Sequence, residues 1–150
     1  MLFEDFISKL KVFEGLRTKA YRCPSGVWTV GYGHTLGVTP NMVITGSEAD
    51  CFLKFDLALI RCQLAQIHPN IIVGSGLYYS LTDFIFNVGI TKYNRSTLKK
   101  VVDNIKDYFC LTENDIASLS VQFLLWTKSN GKTLRGLEKR RQWEISLLNE

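Results

Sequence analysis

Residues 14 to 35, EGLRTKAYRCPSGVWTVGYGHT, connect the end of a predicted helix to a predicted β-hairpin, and this junction decides the fold. Ahead of it, apolar residues recur at helical spacing: Phe3, Phe6, Ile7, Leu10 and Phe13. Gly15 then supplies the residue that most readily adopts the left-handed conformation in which helices end. We therefore expect Glu14 to be the last residue of an amphipathic helix.

The position of Glu14 matters for its protonation. A helix C-terminus carries partial negative charge, which raises the pKa of a carboxyl group there unless a cation compensates. A carboxyl group that is still protonated near neutral pH can act as a general acid, as glycosidic-bond cleavage requires. A solvated surface charge is the alternative interpretation.

The segment Cys23-Pro24-Ser25-Gly26 has Pro and Gly where a β-turn favours them, which predicts a hairpin. Under period-2 alternation the returning strand has a bulky face, Trp28, Val30 and Tyr32, and a mostly small face, Val27, Thr29, Gly31, Gly33 and Thr35. The two glycines indicate a close approach to the backbone, such as that of a sugar ring. The alternative is a glycine-softened hairpin with Trp28 in the core.

This run resembles the signature of the phage-type lysozymes, the endolysins that cut bacterial peptidoglycan. In that family a helix-ending Glu is followed nine residues later by an Asp and fifteen later by a Thr, and those positions here are Glu14, Cys23 and Thr29. Three further segments resemble family blocks in the same order: FIFNVG (84–89), STLKK (96–100) and GKTLRGLEKRRQWE (131–144). The resemblance covers most of the chain.

The resemblance implies hydrolysis of the β-1,4 bond between N-acetylmuramic acid and N-acetylglucosamine. Glu14 would be the proton donor, and Thr29 would help to hold the attacking water. Further substrate-binding positions are predicted at Gly31, Gly33, His34, Asn87 and Ser96. For His34, a structural hydrogen bond or ion pair to a carboxylate is the favoured alternative.

The chain departs from the family at Cys23. The family has an aspartate at this position, which acts as the base or electrostatic partner. A free thiol is only a small fraction thiolate at pH 7, whereas Asp is ionised. Cys23 could be a base or nucleophile if cations such as Arg22 or His34 lower its pKa, an inert substitution in a weakened enzyme, or the mark of a non-hydrolytic site. As nucleophile it would form a thioglycosyl intermediate and give retention rather than inversion.

Two other functions are compatible with this site. A lytic transglycosylase needs a single catalytic Glu and releases an anhydro product, lighter by one water. A non-catalytic peptidoglycan-binding module would keep the fold and lose the chemistry. The intact pair of Glu14 and Thr29 favours an enzyme.

The four cysteines do not predict a disulfide framework or a metal site. Cys51 and Cys62 share a predicted helix, where eleven residues separate them by roughly 16 Å, beyond the ~7 Å limit for a bridge. We therefore expect buried, reduced thiols. The cysteines are also too scattered along the chain for a zinc site. No cofactor is expected, and His68, beside Pro69, is interpreted as a cap or a surface residue.

With 150 residues and 46% hydrophobic composition, the chain is expected to form one domain over residues 1–150. The predicted class is α+β and lysozyme-like, with a mainly helical lobe, a small β-hairpin lobe and the active-site cleft between them. A helix from about 47 to 67, capped by Thr45 and Ser47, has the predicted buried stripe Cys51, Phe55, Ala58, Cys62 and Ala65.

Later helices are predicted from equally local signals. An apolar, enclosed helix runs from Leu77 to Val88 and ends at Gly89. Ser96 begins the next, Thr112 with Asp115 caps another, and a turn at Asn130-Gly131 leads to the last.

The distribution of charge along the chain indicates which partners to expect. The net charge is +4, and six basic residues lie between Lys128 and Arg141 against one acidic residue, Glu138. This stretch either attracts anionic peptidoglycan or is a solvated helix face, and Arg140 or Arg141 could instead turn inward and pair with Glu14. No nucleic-acid motif accompanies the charge.

The first residues resemble neither a secretory signal nor a membrane anchor. We therefore expect the protein to stay in the host bacterial cytoplasm, without stable membrane insertion, until it is released to the cell wall. We also expect it to be a monomer. The family resemblance implies release through a holin pore. Phage and bacterial origins are equally compatible with the sequence.

Overall fold

Helices and short antiparallel strands follow one another in a computed structural model that describes residues 1–129 and 131–150. The elements are α1 (Phe3–Glu14), β1 (Arg17–Arg22), β2 (Trp28–Gly31), α2 (Gly46–Ile67), α3 (Gly76–Val88), α4 (Ile90–Asn94), α5 (Thr97–Asp103), α6 (Glu113–Leu124), β3 (Lys128–Ser129), β4 (Lys132–Thr133) and α7 (Arg135–Leu147). The predicted α+β class, mainly helical with a small hairpin, is confirmed. The predicted turn at Asn130-Gly131 includes Asn130, which lies outside the described residues.

Internal contacts group the chain into two compact units. Residues 7–59 form the first, called here the hairpin unit, and residues 1–6 with 60–150 form the second, called here the helical unit. The single domain expected for residues 1–150 stays a prediction. Within the described residues, no helix is both long and apolar enough to cross a membrane.

The hairpin unit contains the predicted hairpin. β1 and β2 pair antiparallel, with Tyr21 opposite Thr29, and the Cys23 carbonyl accepts the Gly26 N–H at 2.8 Å across the predicted turn. The returning strand ends at Gly31 rather than continuing, because Val30 and His34 exchange two backbone hydrogen bonds of 2.9 Å around a second tight turn. The predicted alternation beyond Gly31 is therefore wrong.

The small core of the hairpin unit explains one of its glycines. Val30, Ile44 and Ala49 are buried together. A Cβ added to Gly31 would lie 3.3 Å from the Ala49 Cβ, and the backbone there has a φ of +68°. Ala49 of α2 thus makes a close approach at Gly31, and a sugar contact there stays a prediction.

Helix α2 begins as predicted but buries a different face. The Thr45 hydroxyl accepts the Glu48 N–H, and the Glu48 carboxylate accepts the Thr45 N–H, which is a reciprocal cap. The predicted buried stripe is wrong: Cys51, Phe55, Ala58, Cys62 and Ala65 are exposed, and the buried positions are Ala49, Leu53, Leu57 and Leu64. Both sets have helical spacing, and the leucine-rich one carries more apolar area per residue to bury.

The thiols are free, as predicted, but not buried. Cys51, Cys62 and Cys110 are exposed and Cys23 is half-buried. For Cys51 and Cys62 the error follows from the same choice of face on α2.

In the helical unit, α3 is the enclosed helix that the sequence predicts. Residues 76–85 are all buried, and the helix ends at Gly89, whose φ is 89°. The Phe84 ring has edge contacts with Phe123 and Trp126, at centroid distances of 5.5 and 5.3 Å. At its other end a Cβ on Gly76 would lie 1.7 Å from the Leu147 carbonyl oxygen, so only glycine allows α7 to pack there.

His68 is buried, which contradicts the predicted surface position. It is 3% exposed, its Nε2 lies 2.7 Å from the Tyr93 hydroxyl, and its Nδ1 lies 3.5 Å from an Asp103 carboxylate oxygen. The ring also meets the Tyr93 ring edge-on. The sequence signal was weak because Tyr93 is 25 residues away.

We predict that His68 makes the fold less stable on acidification. Burial is the main cause that holds the pKa of His68 below its ordinary 6.5; the charge of Asp103 opposes this and that of Lys99 adds to it. The unfolded chain therefore takes up a proton at this side chain before the folded chain does, so acidification through and below pH 6.5 favours unfolding. The His68→Gln variant should lose less of its urea midpoint between about pH 7 and pH 5. An equal loss in both proteins would contradict this role.

Candidate active site

Glu14 lies where the sequence predicts, as the last residue of α1. Gly15 has a φ of 71°, and its N–H donates to the Lys11 carbonyl at 2.9 Å, which ends the helix. Glu14 is half-buried. The carboxyl group is thus held at a helix end with part of its surface open to solvent.

The second turn of the hairpin faces this carboxyl group. Gly31 and Gly33 both have positive φ, 68° and 95°, with Tyr32 between them. A Cβ added to Gly33 would lie 3.6 Å from Glu14 Oε2. Of the two glycines predicted to allow a close approach, Gly33 is therefore the one that lies beside the predicted proton donor.

His34 is buried and pairs with the half-buried carboxylate of Asp56. Its ring is 5% exposed, stacks on Phe52 at 4.4 Å, and places Nδ1 at 2.9 Å from both carboxylate oxygens of Asp56. Burial raises the pKa of Asp56, and the hydrogen bond from His34 opposes that rise. The contact with a carboxylate that the sequence favours for His34 is present, and a substrate contact of His34 stays a prediction.

Sequence reasoning missed Asp56. The available signal was an acidic residue next to Leu57, one of the buried residues of α2. A half-buried carboxylate is stabilised by a partner, because desolvation penalises its charge.

Thr29 is a buried residue of β2. It is 3% exposed, and its hydroxyl donates to the Val27 carbonyl at 3.0 Å. With its proton used in this way, the oxygen retains lone pairs that can accept a hydrogen bond from water. The geometry is compatible with the predicted role in holding a water molecule.

Cys23 has an altered acidity, but its cause is not the predicted one. The pKa of Cys23 falls from an ordinary 9.0 to about 7, mainly because of a side-chain hydrogen bond with Ser25, with smaller contributions from backbone groups and Thr29. Neither of the two suggested cations is among the causes; Arg22 lies over the Trp28 ring at 5.2 Å, and His34 pairs with Asp56. Ser25 is the residue that sequence reasoning missed.

The two remaining predicted site residues lie in the helical unit and have structural partners. The Asn87 side-chain oxygen accepts a hydrogen bond from Arg141 at 2.9 Å. Ser96 is buried and caps α5: its hydroxyl accepts the Lys99 N–H and donates to the Tyr93 carbonyl. Both contacts support the fold around these residues and give no direct support to substrate binding.

The six basic residues between Lys128 and Arg141 divide into a buried group and an exposed group. Arg140 and Arg141 are buried, at 4% and 0% exposure, so a solvated face is wrong for both. Arg140 binds the buried carboxylate of Asp83 through two hydrogen bonds, of 2.8 and 2.9 Å, and Arg141 pairs with the buried Glu144 at 2.8 Å. Burial raises the pKa of Glu144, and the charge of Arg141 opposes that rise.

The other four basic residues of the stretch are exposed: Lys128, Lys132, Arg135 and Lys139. In the described part of the chain, no three side chains of His, Cys, Asp or Glu lie close enough together to hold a metal ion.

Fold and site together define a lysozyme-like protein, and comparison with known proteins agrees. The family model "Phage lysozyme" matches residues 11–144. An endolysin of Acyrthosiphon pisum secondary endosymbiont phage 1 is 38% identical over 142 residues, which cover 92% of this chain and 90% of the relative. The endolysin of Salmonella phage P22 is 32% identical, with 94% and 92% covered.

Solved structures extend the similarity to the whole fold. The muramidase domain of SpmX from Asticaccaulis excentricus superposes with a TM-score of 0.81 at 28% identity, over 100% of this chain and 98% of that one. A variant of the P22 lysozyme has a TM-score of 0.71 at 27% identity, with 100% and 99% covered. By contrast, the chain spans about half of the endolysins of Bacillus phages PZA and B103, 53% and 51%.

The chain therefore belongs to the phage lysozyme family, whose members cleave bacterial peptidoglycan.

Proposed function

We propose that this protein is a muramidase that hydrolyses the β-1,4 bond between N-acetylmuramic acid and N-acetylglucosamine in peptidoglycan strands. Membership of the phage lysozyme family supports the substrate. The bond is supported by the similarity to a solved domain that is named a muramidase.

One observation carries the proposal: the Glu14 carboxyl group ends α1 and faces the backbone at Gly33. A proton donor to a glycosidic oxygen has to be reachable by the sugar, and the half-buried Glu14 has part of its surface exposed. In the proposed reaction Glu14 gives its proton to the leaving oxygen as the bond to the anomeric carbon breaks.

Cys23 and Thr29 are proposed to act on the attacking water. Thr29 accepts a hydrogen bond from the water, and the Cys23 thiolate takes its proton as the oxygen bonds to the anomeric carbon, which gives inversion. A pKa of about 7 makes roughly half of this thiol anionic at neutral pH. If the sulfur attacks the carbon directly, a thioglycosyl intermediate forms and water releases it with retention.

A second candidate is a lytic transglycosylase, and the observation that favours it is the absence of the family Asp at position 23. In that reaction a hydroxyl of the muramic acid attacks the anomeric carbon in place of water. Glu14 would still protonate the leaving oxygen, so the two reactions differ in their products rather than in their acid.

We expect the wild-type protein to release fragments with reducing-end muramic acid from purified peptidoglycan, measured by mass spectrometry of the soluble products. Products lighter by one water would instead identify a transglycosylase. Tight binding to the insoluble peptidoglycan without any release would identify a non-catalytic binding module and contradict the proposal.

We also propose that exposed basic residues concentrate the protein on its anionic substrate. Lys128, Lys132, Arg135 and Lys139 provide the surface charge. Release through a holin pore stays a prediction; relatives from phages PS34 and PS119 are named SAR-endolysins, at 33% and 34% identity.

A further inference from the structure

The turn that carries Cys23 contains a second polar side chain with a defined contact. Ser25 Oγ lies 2.9 Å from Cys23 Sγ. Two backbone hydrogen bonds fix this arrangement, from the Gly26 N–H to the Cys23 carbonyl at 2.8 Å and from the Cys23 N–H to the Val27 carbonyl at 3.0 Å. Both side chains are therefore held on one short, closed loop.

We propose that Ser25 is a positioning residue that donates its hydroxyl hydrogen to the Cys23 sulfur and thereby stabilises the anionic form of that side chain. This inference rests on the proposed function, in which Cys23 occupies the position of the family's acidic residue. Ser25 would let a thiol supply the negative charge that the family obtains from Asp.

The direction of the hydrogen bond follows from the protonation state. When the thiol carries its proton, either group can donate to the other, so the contact gives little preference. A thiolate has no hydrogen, and only the Ser25 hydroxyl can then donate. Hydrogen bonds to an ionised acceptor are stronger than those between neutral groups, so the contact favours ionisation of Cys23.

No charged group is among the causes of the lowered pKa of Cys23. β2 contains no charged residue, and the basic residues of β1 are Arg17, Lys19 and Arg22. Arg17 lies over the Tyr21 ring at 4.3 Å, and Arg22 lies over the Trp28 ring. The acidity of Cys23 is instead lowered chiefly by Ser25, with burial acting in the opposite direction.

The test measures the thiol directly and does not depend on catalysis. Replacement of the other three cysteines, Cys51→Ser, Cys62→Ser and Cys110→Ser, leaves Cys23 as the single thiol of the chain. The rate of its alkylation by iodoacetamide is then measured against pH, with and without Ser25→Ala. Ser25→Thr retains a hydroxyl, and Ser118→Ala removes one from the exposed surface of α6.

We expect a titration midpoint near 7 with Ser25 present and a shift toward 9.0 in Ser25→Ala. The alkylation rate at pH 7 should fall by at least roughly threefold, because the thiolate fraction falls. Ser25→Thr should restore most of the midpoint, and Ser118→Ala should leave it unchanged. Equal midpoints with and without the Ser25 hydroxyl would overturn the inference.

Peptidoglycan hydrolysis separates this inference from the proposed function. If Ser25 acts through Cys23, the acidic limb of the kcat/KM profile of Ser25→Ala moves to higher pH together with its thiol titration. A normal thiol shift in a protein that releases no reducing ends would contradict the proposed hydrolysis and leave the role of Ser25 supported.

Discussion

Glu14→Gln is expected to lower the rate of peptidoglycan cleavage by about 10² to 10⁴-fold, the range measured for loss of a positioned general acid. This corresponds to roughly 3 to 5 kcal/mol of transition-state stabilisation. Glutamine has nearly the same shape, so it should fit at the end of α1 and beside Gly33, but it cannot give a proton to the leaving oxygen. The loss is therefore expected in kcat rather than in folding.

The measurement is the release of new reducing ends from purified peptidoglycan, with the unfolding midpoint of each protein recorded in parallel. Glu113→Gln is the matched control, because it makes the same chemical change at an exposed position in the first turn of α6. It should keep full activity. A Glu14→Gln protein that folds normally and retains more than about a tenth of the wild-type rate is incompatible with Glu14 as the proton donor.

The second large effect is expected at Cys23, where Ala and Asp should behave in opposite ways. Cys23→Ala removes the group that takes the proton from water, and we expect a loss of about 10² to 10⁴-fold. Cys23→Asp restores an anion and should keep activity. Wild-type activity in Cys23→Ala would show that Cys23 is an inert substitution.

The pH profile makes this prediction sharper. The active form of Cys23 is the thiolate, so the wild-type rate should fall as the pH drops through its pKa of about 7. An aspartate stays ionised down to about pH 4, so Cys23→Asp should extend activity to more acidic conditions. Superimposable acidic limbs in kcat/KM would mean that another group controls the reaction. A covalent sugar adduct on Cys23, found by mass spectrometry, would identify the sulfur as nucleophile.

Signals that act over a few residues predicted the fold well. The end of α1 at Glu14 and Gly15, and the cap of α6 by Thr112 and Asp115, depend on hydrogen bonds between residues at most four apart. The hairpin turn at Cys23 is equally local. Such features follow from the sequence because the preference of each residue and its partner lie in one short window.

Errors occurred where several faces or partners were available. On α2 two apolar stripes share the helical period, and the buried one could not be chosen without the rest of the protein. The sequence suggests the cations Arg22 and His34 as groups that could lower the pKa of Cys23, whereas the main cause is the neutral hydroxyl of Ser25. The charged residues can be read from a sequence, but the direction in which each side chain points cannot be read from it.

From its sequence this protein could be assigned a helix that ends in Glu14, a glycine-rich hairpin, a set of capped helices and a phage lysozyme resemblance. Tertiary structure alone decided which glycine lies beside the Glu14 carboxyl group, and that His34 pairs with Asp56, 22 residues away. It alone buried Arg140 against Asp83, 57 residues away. The reason is that local conformation depends on neighbouring residues, whereas burial and ion pairing depend on which distant segments fold against each other.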